Sequence, residues 1–289
     1  MSVYLLFVAS SQHRLRGGGV SRYTACMRLR VVSWNVRSAE QGASELALLR
    51  GLSPHVILLQ DITCSMAQTM RQDDCMAGVL DTWNDDKSGT ARRRRGGCLI
   101  AVTYPWRLTL RTRPPGSAMD DRILCGTAVC GDTALTLFSC YAPTNAGVAR
   151  TGRTAFFTAL AQELAITPTP LILGMDANGP RIDHPDLARS VWWTPEEAAV
   201  LGSGTPTRDA LRLWYQEHPD EFRKRCRYYP HGPLADSYHR GRRGRFLRSR
   251  YDSIRFSPDI RVLDVRYLYD DAIHAGSDHA VVVADVELR

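Results

Sequence analysis

Lysine is almost missing from this chain of 289 residues: Lys87 and Lys224 are the only two. The net charge of +7 is therefore carried almost wholly by arginine. Long apolar runs are missing too. None approaches the roughly 20 residues a helix needs to cross a bilayer, so no membrane partner is expected. No two of the eight cysteines form a C-x-x-C pair, which argues against a structural zinc site. Several, among them Cys98, Cys125 and Cys140, lie in strand-like runs, where cysteine acts as a small buried apolar residue. That pattern favours a reduced, intracellular compartment. There is no internal repeat, and no long linker follows Met27.

At the N-terminus, Val3 to Ala9 is a short apolar run with no Lys or Arg before it, a poor signal peptide. Gly17-Gly18-Gly19 and scattered arginines follow, and Met27 opens the first strand pattern. Residues 1–26 read as a disordered leader or a mis-assigned start. Residues 27–289 read as one domain with a substantial core, expected to be a monomer.

The arginines are clustered. One cluster is Arg92 to Arg95. The other runs from Arg223 through Arg225, Arg227, Arg240, Arg242, Arg243, Arg245, Arg248 and Arg250. Guanidinium forks bind phosphate in bidentate fashion, and cationic loops steer polyanions. Nucleic acid is the expected partner, with Arg243, Arg245 and Arg248 as candidate phosphate contacts; two solvated loops are the bland alternative. Trp192-Trp193 and Tyr228-Tyr229 accompany the second cluster, as base-stacking residues or as packing residues.

Arg28 to Trp34 alternates as a strand does, and His55 to Gln60 reads as a buried strand. Ser44 to Leu52 has helical spacing with Ser44 as N-cap, and Thr63 to Leu80 reads as a helix. Cys98 to Thr103, Arg107 to Thr112, Ile123 to Val129 and Ala134 to Tyr141 form a run of strands. Arg150 to Ile166 is an amphipathic helix, followed by a strand at Leu171 to Gly174. Pro195 to Leu201 and Thr207 to Arg225 look helical, and Tyr228 to Ser249 irregular. Tyr251 to Phe256, Arg261 to Tyr269 and Ala280 to Leu288 close the chain as strands. The sum is a mixed α/β domain.

Six of these segments end in, or just before, a polar residue. They are Ser33-Trp34-Asn35, Leu59-Gln60-Asp61, Cys140-Tyr141-Ala142-Pro143, Gly174-Met175-Asp176-Ala177-Asn178, Tyr251-Asp252 and Gly276-Ser277-Asp278-His279. A strand that ends so delivers a functional group to a sheet rim. Six such ends can build one acidic site with a single histidine, the equipment for cutting a phosphate ester. That reaction needs activated water, charge neutralisation and help for the leaving oxygen. Mg²⁺ suits it, being held by one or two carboxylates while keeping places for water and phosphate oxygens. Asp61 and Asp278 are candidate metal carboxylates, with Asn35 as a nearby oxygen donor. Asp176 can orient or deprotonate water, and Asn178 can hold that Asp or a phosphate oxygen. His279 can donate to a phosphate oxygen, with Asp252 fixing its tautomer. Each has a bland reading: Asp61 as a helix cap, Asn178 as a turn residue, Asp252 as the partner of an arginine, Tyr141 as core, His279 as structural.

In this order the segments resemble the endonuclease/exonuclease/phosphatase superfamily, from Met27 to Arg289. The resemblance implies a two-sheet β-sandwich flanked by helices, the DNase I-like α/β sandwich. It implies that Asn35 lies near the metal, that Asp61 stands at the principal metal ligand, and that Tyr141 contacts phosphate. It also implies water-activating and transition-state roles for Asp176 and Asn178, and support of His279 by Asp252. Two departures stand out. Asp61 replaces the usual Glu and is one methylene shorter, which implies a lower metal affinity or a shift in preference toward Mn²⁺. Met175 separates Gly174 from Asp176, where the family has Gly directly before Asp. The expected activity is divalent-metal-dependent cleavage of DNA or RNA. The alternatives are a phosphatase or phospholipase for inositol phosphates or lipid head groups, and a catalytically weak nucleic-acid-binding module.

Overall fold

Strands buried on both faces dominate the structure. The computed structural model describes residues 27–37, 42–83, 96–110, 121–144, 149–202, 205–242 and 245–288. In chain order the elements are β1 (Met27–Asn35), α1 (Ala43–Leu52), β2 (Val56–Ile62), α2 (Cys64–Arg71), β3 (Met76–Asp81), β4 (Gly97–Thr103) and β5 (Arg107–Leu110). Then come β6 (Ile123–Cys130), β7 (Thr133–Tyr141), α3 (Ala149–Ile166), β8 (Leu171–Asp176), α4 (Pro195–Leu201), β9 (Arg208–Asp209), α5 (Ala210–Glu217) and α6 (Pro219–Tyr228). The chain closes with β10 (Tyr238–Arg242), β11 (Arg245–Ser249), β12 (Asp252–Phe256), β13 (Ile260–Leu268), α7 (Tyr269–His274) and β14 (Val281–Leu288).

Two six-stranded sheets result, in the orders β13-β14-β1-β2-β4-β3 and β5-β6-β7-β8-β12-β9, with β10 and β11 as a separate hairpin. Side chains two apart share a face. Val31, Val56, Leu58, Leu137, Ile172 and Ile254 therefore meet between the sheets. The alternate residues Val32, Ile57 and Leu59 pack under α1, α2 and α7. Phe138 and Leu173 pack under α3 and α4, against Phe156, Phe157 and Val200. The arrangement is the expected four-layer DNase I-like sandwich, with both sheets mixed.

Each sheet holds one parallel pair, β1 with β2 and β7 with β8, each joined through a helix. Parallel neighbours end at the same rim, where open α/β sheets bind ligands. The two pairs bring the ends bearing Asn35 and Asp61 and those bearing Tyr141 and Asp176 to one side.

Four local readings are corrected. Gly42, at φ 66, takes the N-cap position of α1, and Ser44 lies inside the helix. Residues 63 to 80 are not one helix. Asp73 accepts the Cys75 N–H (3.0 Å) and pairs with Arg50, ending the helical stretch, and β3 begins at Met76. Thr207 to Arg225 breaks at Pro219, which has no N–H to continue a helix. The segment read as irregular contains the β10–β11 hairpin, a backbone ladder that needs no apolar alternation. Arg92 to Arg95 lie outside the described residues.

Candidate functional site

Register assembles the site before any side chain is considered. Tyr141 pairs with Asp176 across β7 and β8, and Asp176 with Asp252 across β8 and β12. Three candidate side chains thus stand in one row at the rim of the second sheet. On the first sheet Asn35 pairs with Gln60, one residue before Asp61. β14 runs antiparallel to β1, with Val282 opposite Ser33, so His279 precedes β14 beside the end of β1. The seam under the rim is polar. Gln60 Nε2 donates to Ser139 Oγ (3.1 Å) across the sheets and to Ser33 Oγ (3.3 Å) on the neighbouring strand of its own sheet. Gly174 lies in that seam. A Cβ there would sit 2.7 Å from Leu58 Cδ1 and 2.7 Å from Ser33 Oγ, so close approach of the sheets requires glycine whatever follows it in sequence.

Asp61 is not a helix cap; Thr63 caps α2 by accepting the Met66 N–H. Instead β2 shifts register against β4 between Gln60 and Ile62, and Asp61 takes a positive φ of 51°. A bulge of this kind re-aims a side chain, and backbone strain of this kind collects at functional sites. Its charge bears on the Tyr141 phenol, as does that of Asp176. Burial first, and then these two carboxylates, raise the Tyr141 pKa, so the hydroxyl is a neutral donor. The Arg122 guanidinium lies over its ring at 4.8 Å.

Asp176 is fully enclosed by partners. Asn35 Nδ2 donates to its Oδ2 (2.8 Å), and the Asn178 N–H to its Oδ1 (2.8 Å). Burial pushes its pKa up to about 6; the Asp252 charge adds to this while His279, Asn178 and Asn35 oppose it. Asn178, at φ 46°, also donates Nδ2 to the Ala142 carbonyl (2.9 Å), so it ties the β7 and β8 ends together rather than merely serving a turn. Asp252 pairs not with an arginine but with His279, whose Nδ1 lies 2.9 Å from Oδ2 and 3.2 Å from Oδ1. An ionised carboxylate only accepts, so Nδ1 carries the proton and Nε2 is the nitrogen left for other partners. Burial works against the imidazolium. Asp252 and Asp176 outweigh it and push His279 up to about 10. Asp176, Asp252 and His279 offer ligand atoms within 4.8 Å of one another, a group able to hold a metal ion. Asp278 is not one of that group of three; it lies 3.6 Å from Arg37 in a half-exposed ion pair, and its charge adds to those that raise His279.

The residues flanking the site carry more of its geometry than the sequence disclosed. Trp34 Nε1 donates to the His279 carbonyl (3.0 Å), and Ser277 Oγ donates to the Asn35 carbonyl (2.6 Å). Ser237 is buried and accepts the N–H groups of Tyr251 (2.8 Å) and Asp252 (3.1 Å), while its carbonyl takes the Ala280 N–H (2.7 Å). The β10–β11 hairpin is thereby fastened to both strands that hold the histidine pair, and Tyr238 lies on the His279 ring at 4.7 Å. No sequence signal marks Ser237, since serine is common in loops.

Of the basic cluster, Arg243 lies outside the described residues, as does the side chain of Arg245. Arg248 is exposed and bonded to Tyr229 Oη (2.6 Å) and Asp236 (2.9 Å). Arg250 is not a surface cation; it is buried between Asp183 and Asp209, because a buried guanidinium needs paired carboxylates. Trp193 donates Nε1 to the Asn178 carbonyl (3.2 Å), and Trp192 packs on the α3–α4 cluster, which favours the packing reading for both.

No family model and no curated protein matches the sequence. Solved structures do match. TDP2 of D. rerio, complexed with a single-strand DNA product, has a TM-score of 0.61 at 14% identity, over 90% of this chain and 98% of that one. The endonuclease domain of TRAS1, a telomere-specific non-LTR retrotransposon, has a TM-score of 0.57 at 16% identity, over 90% and 98%. The AP endonuclease LMAP of Leishmania major has a TM-score of 0.55 at 16% identity, over 91% and 88%. At such identities the likeness is one of fold, and it agrees with the two sheets and the rim derived above: the chain has the fold of the endonuclease/exonuclease/phosphatase superfamily.

Proposed function

We propose that this chain is a divalent-metal-dependent phosphodiesterase that cleaves nucleic acid. The observation that carries the reading is the row Tyr141–Asp176–Asp252 with His279 bonded to Asp252, facing Asn35 and Asp61 across the rim. The donors fit Mg²⁺: Asp61, Asp278 and Asn35 offer side-chain oxygens, the ligand type that hard cations take, and Asn35 is bonded to the buried Asp176 carboxylate. Asp61 and Asp278, with Asn35, would hold the ion. When bound, it would neutralise phosphate charge and assist the departing oxygen.

The chain's own groups supply the rest. Asp176, held by Asn35 and Asn178, orients the attacking water and takes its proton. Asp252 keeps the proton on Nδ1 and stabilises the positive ring, so His279 presents Nε2 to a non-bridging phosphate oxygen in the transition state. Tyr141, a neutral donor, contacts a second phosphate oxygen. Because Nδ1 is engaged by Asp252, the histidine serves better as a donor than as a ligand, although it lies within metal-binding range.

Nucleic acid is favoured over smaller phosphate esters by charge and attachment. The chain carries +7, and its arginine-rich hairpin is bolted to His279 through Ser237 and the Tyr238–His279 bridge. Among the described residues no helix is long and apolar enough to cross a membrane. The relatives in fold that bind or cut DNA support the same substrate. The test is turnover with Mg²⁺ or Mn²⁺ on four substrates: labelled duplex, the same duplex with an abasic site, single-stranded oligonucleotide and an inositol polyphosphate. Cleavage of an oligonucleotide, lost on adding a chelator, is expected. Phosphate release from the inositol compound alone would move the assignment to a phosphatase.

A further inference from the structure

A cavity of about 620 Å³ opens beside β9, the short edge strand of the second sheet. Its apolar wall includes Leu187, Leu213 and Phe222; its polar wall includes Arg208, Arg212 and Arg255. Asp252 and Arg255 share β12 but, three apart, lie on opposite faces, so this cavity is separate from the rim.

The charge beneath it is out of balance. Arg250 lies between Asp183 (3.2 Å) and Asp209, and Arg212 pairs with Asp183 (2.5 Å). Asp209 is further engaged by the Arg212 N–H at the start of α5 (3.0 Å). Arg255, 4% exposed, gives Nε to Thr207 Oγ1 (3.1 Å) and Nη2 to the Thr207 carbonyl (2.9 Å) and Thr205 Oγ1 (3.3 Å), all neutral acceptors. Its approach to a carboxylate is Nη1 to Asp209 at 3.9 Å, beyond hydrogen-bond range. Three guanidiniums thus share two carboxylates in a buried cluster. The other acid at the cavity, Asp186, is more exposed and accepts the Ala188 N–H (3.0 Å). Burial, then the Arg250 and Arg212 charges against that of Asp209, pull Arg255 down to about 10.

A buried charge short of a partner favours a ligand that brings one. The volume suits a small organic molecule, and apolar walls with a few convergent polar groups are the usual make-up of such sites. We propose that this cavity binds an amphiphilic anion, a single carboxylate, sulfonate or phosphate on an apolar body, with the charge taken by Arg255 and Arg212 and the body lying on Leu187, Leu213 and Phe222.

The probe is 8-anilinonaphthalene-1-sulfonate, titrated by fluorescence into the folded full chain, with uncharged N-phenyl-1-naphthylamine as control. One saturable site is expected for the anion, at least about tenfold tighter than for the neutral probe, the ratio that one charge-assisted hydrogen bond supplies. Arg255→Met should bring the anion's affinity down to the neutral level. Should that variant fail to fold, Gln216→Trp, an exposed substitution on the cavity wall, should weaken anion binding about tenfold. Equal affinity for the two probes, or anion binding unchanged by a folded Arg255→Met or Gln216→Trp, would overturn the proposal. Metal-dependent cleavage by Gln216→Trp should match the unsubstituted chain in either case, which separates this site from the rim.

Discussion

His279 and Asp252 show how much of the site depends on one hydrogen bond. The carboxylate fixes the proton on Nδ1 and leaves Nε2 for other partners. Asp252→Asn keeps the shape but offers an amide that can hold the wrong tautomer. It should lower kcat about 10²- to 10⁴-fold with KM nearly unchanged, measured on a labelled oligonucleotide. Asp61 has an uncommon backbone, a positive φ at a bulge. Asp61→Ala should raise the Mg²⁺ concentration needed for half-maximal cleavage about 10- to 100-fold, read from a metal titration; an unchanged midpoint would place the ion elsewhere. Both residues could be picked from sequence because each stands where an apolar run ends. Ser237, Gln60 and Trp34 could not be assigned their work in that way. The bonds that tie them to the site, to Tyr251, Ser139 and His279, span 14, 79 and 245 positions, and a hydrogen bond over such a separation leaves no local pattern.

The elements were legible where a strand alternates or a helix has a steady apolar stripe. β1, β4, β6, β7 and the last three strands fall close to their expected limits. At β10–β11 and β3, backbone pairing overrode the side-chain pattern. In β10 and β11 arginine and glycine replace the apolar alternation, yet the ladder from Tyr238↔Ser249 to Arg242↔Arg245 forms. At β3 the apolar spacing of α2 runs on in sequence through Met76, while Asp73 has already turned the chain. The contact between α3 and α4 has a consequence for the site. Arg153 and Glu197 are both fully buried and 2.8 Å apart, Arg153 also donates to the Pro143 carbonyl (2.7 Å), and Glu197 accepts the Trp193 N–H (2.9 Å). The pair lies directly behind Gly179, next to Asn178. Removing one partner of a buried ion pair costs about 3–5 kcal/mol. Glu197→Ala should lower stability by that amount in a denaturant titration, whereas an exposed pair such as Lys224–Glu221 should contribute under about 1 kcal/mol.

At the scale of the whole molecule, the logic is two strand–helix–strand units set face to face. Each ends its parallel strands at the same rim, and the antiparallel β12 and β14 return to that rim with Asp252 and His279. The order of the six segments in sequence therefore encodes a single place in space, which is why the site could be read while most of its supports could not. The second arginine cluster is divided by the fold: Arg250 joins a buried network, and Arg248 stays at the surface on the hairpin. The measurement that bears most directly on this account is Mg²⁺-dependent cleavage of a labelled oligonucleotide by the folded chain and by His279→Ala side by side. The account predicts metal-dependent cleavage that falls at least about 10³-fold in the variant, with its fold and its affinity for the oligonucleotide retained. Cleavage that persists in His279→Ala at the original rate would contradict it.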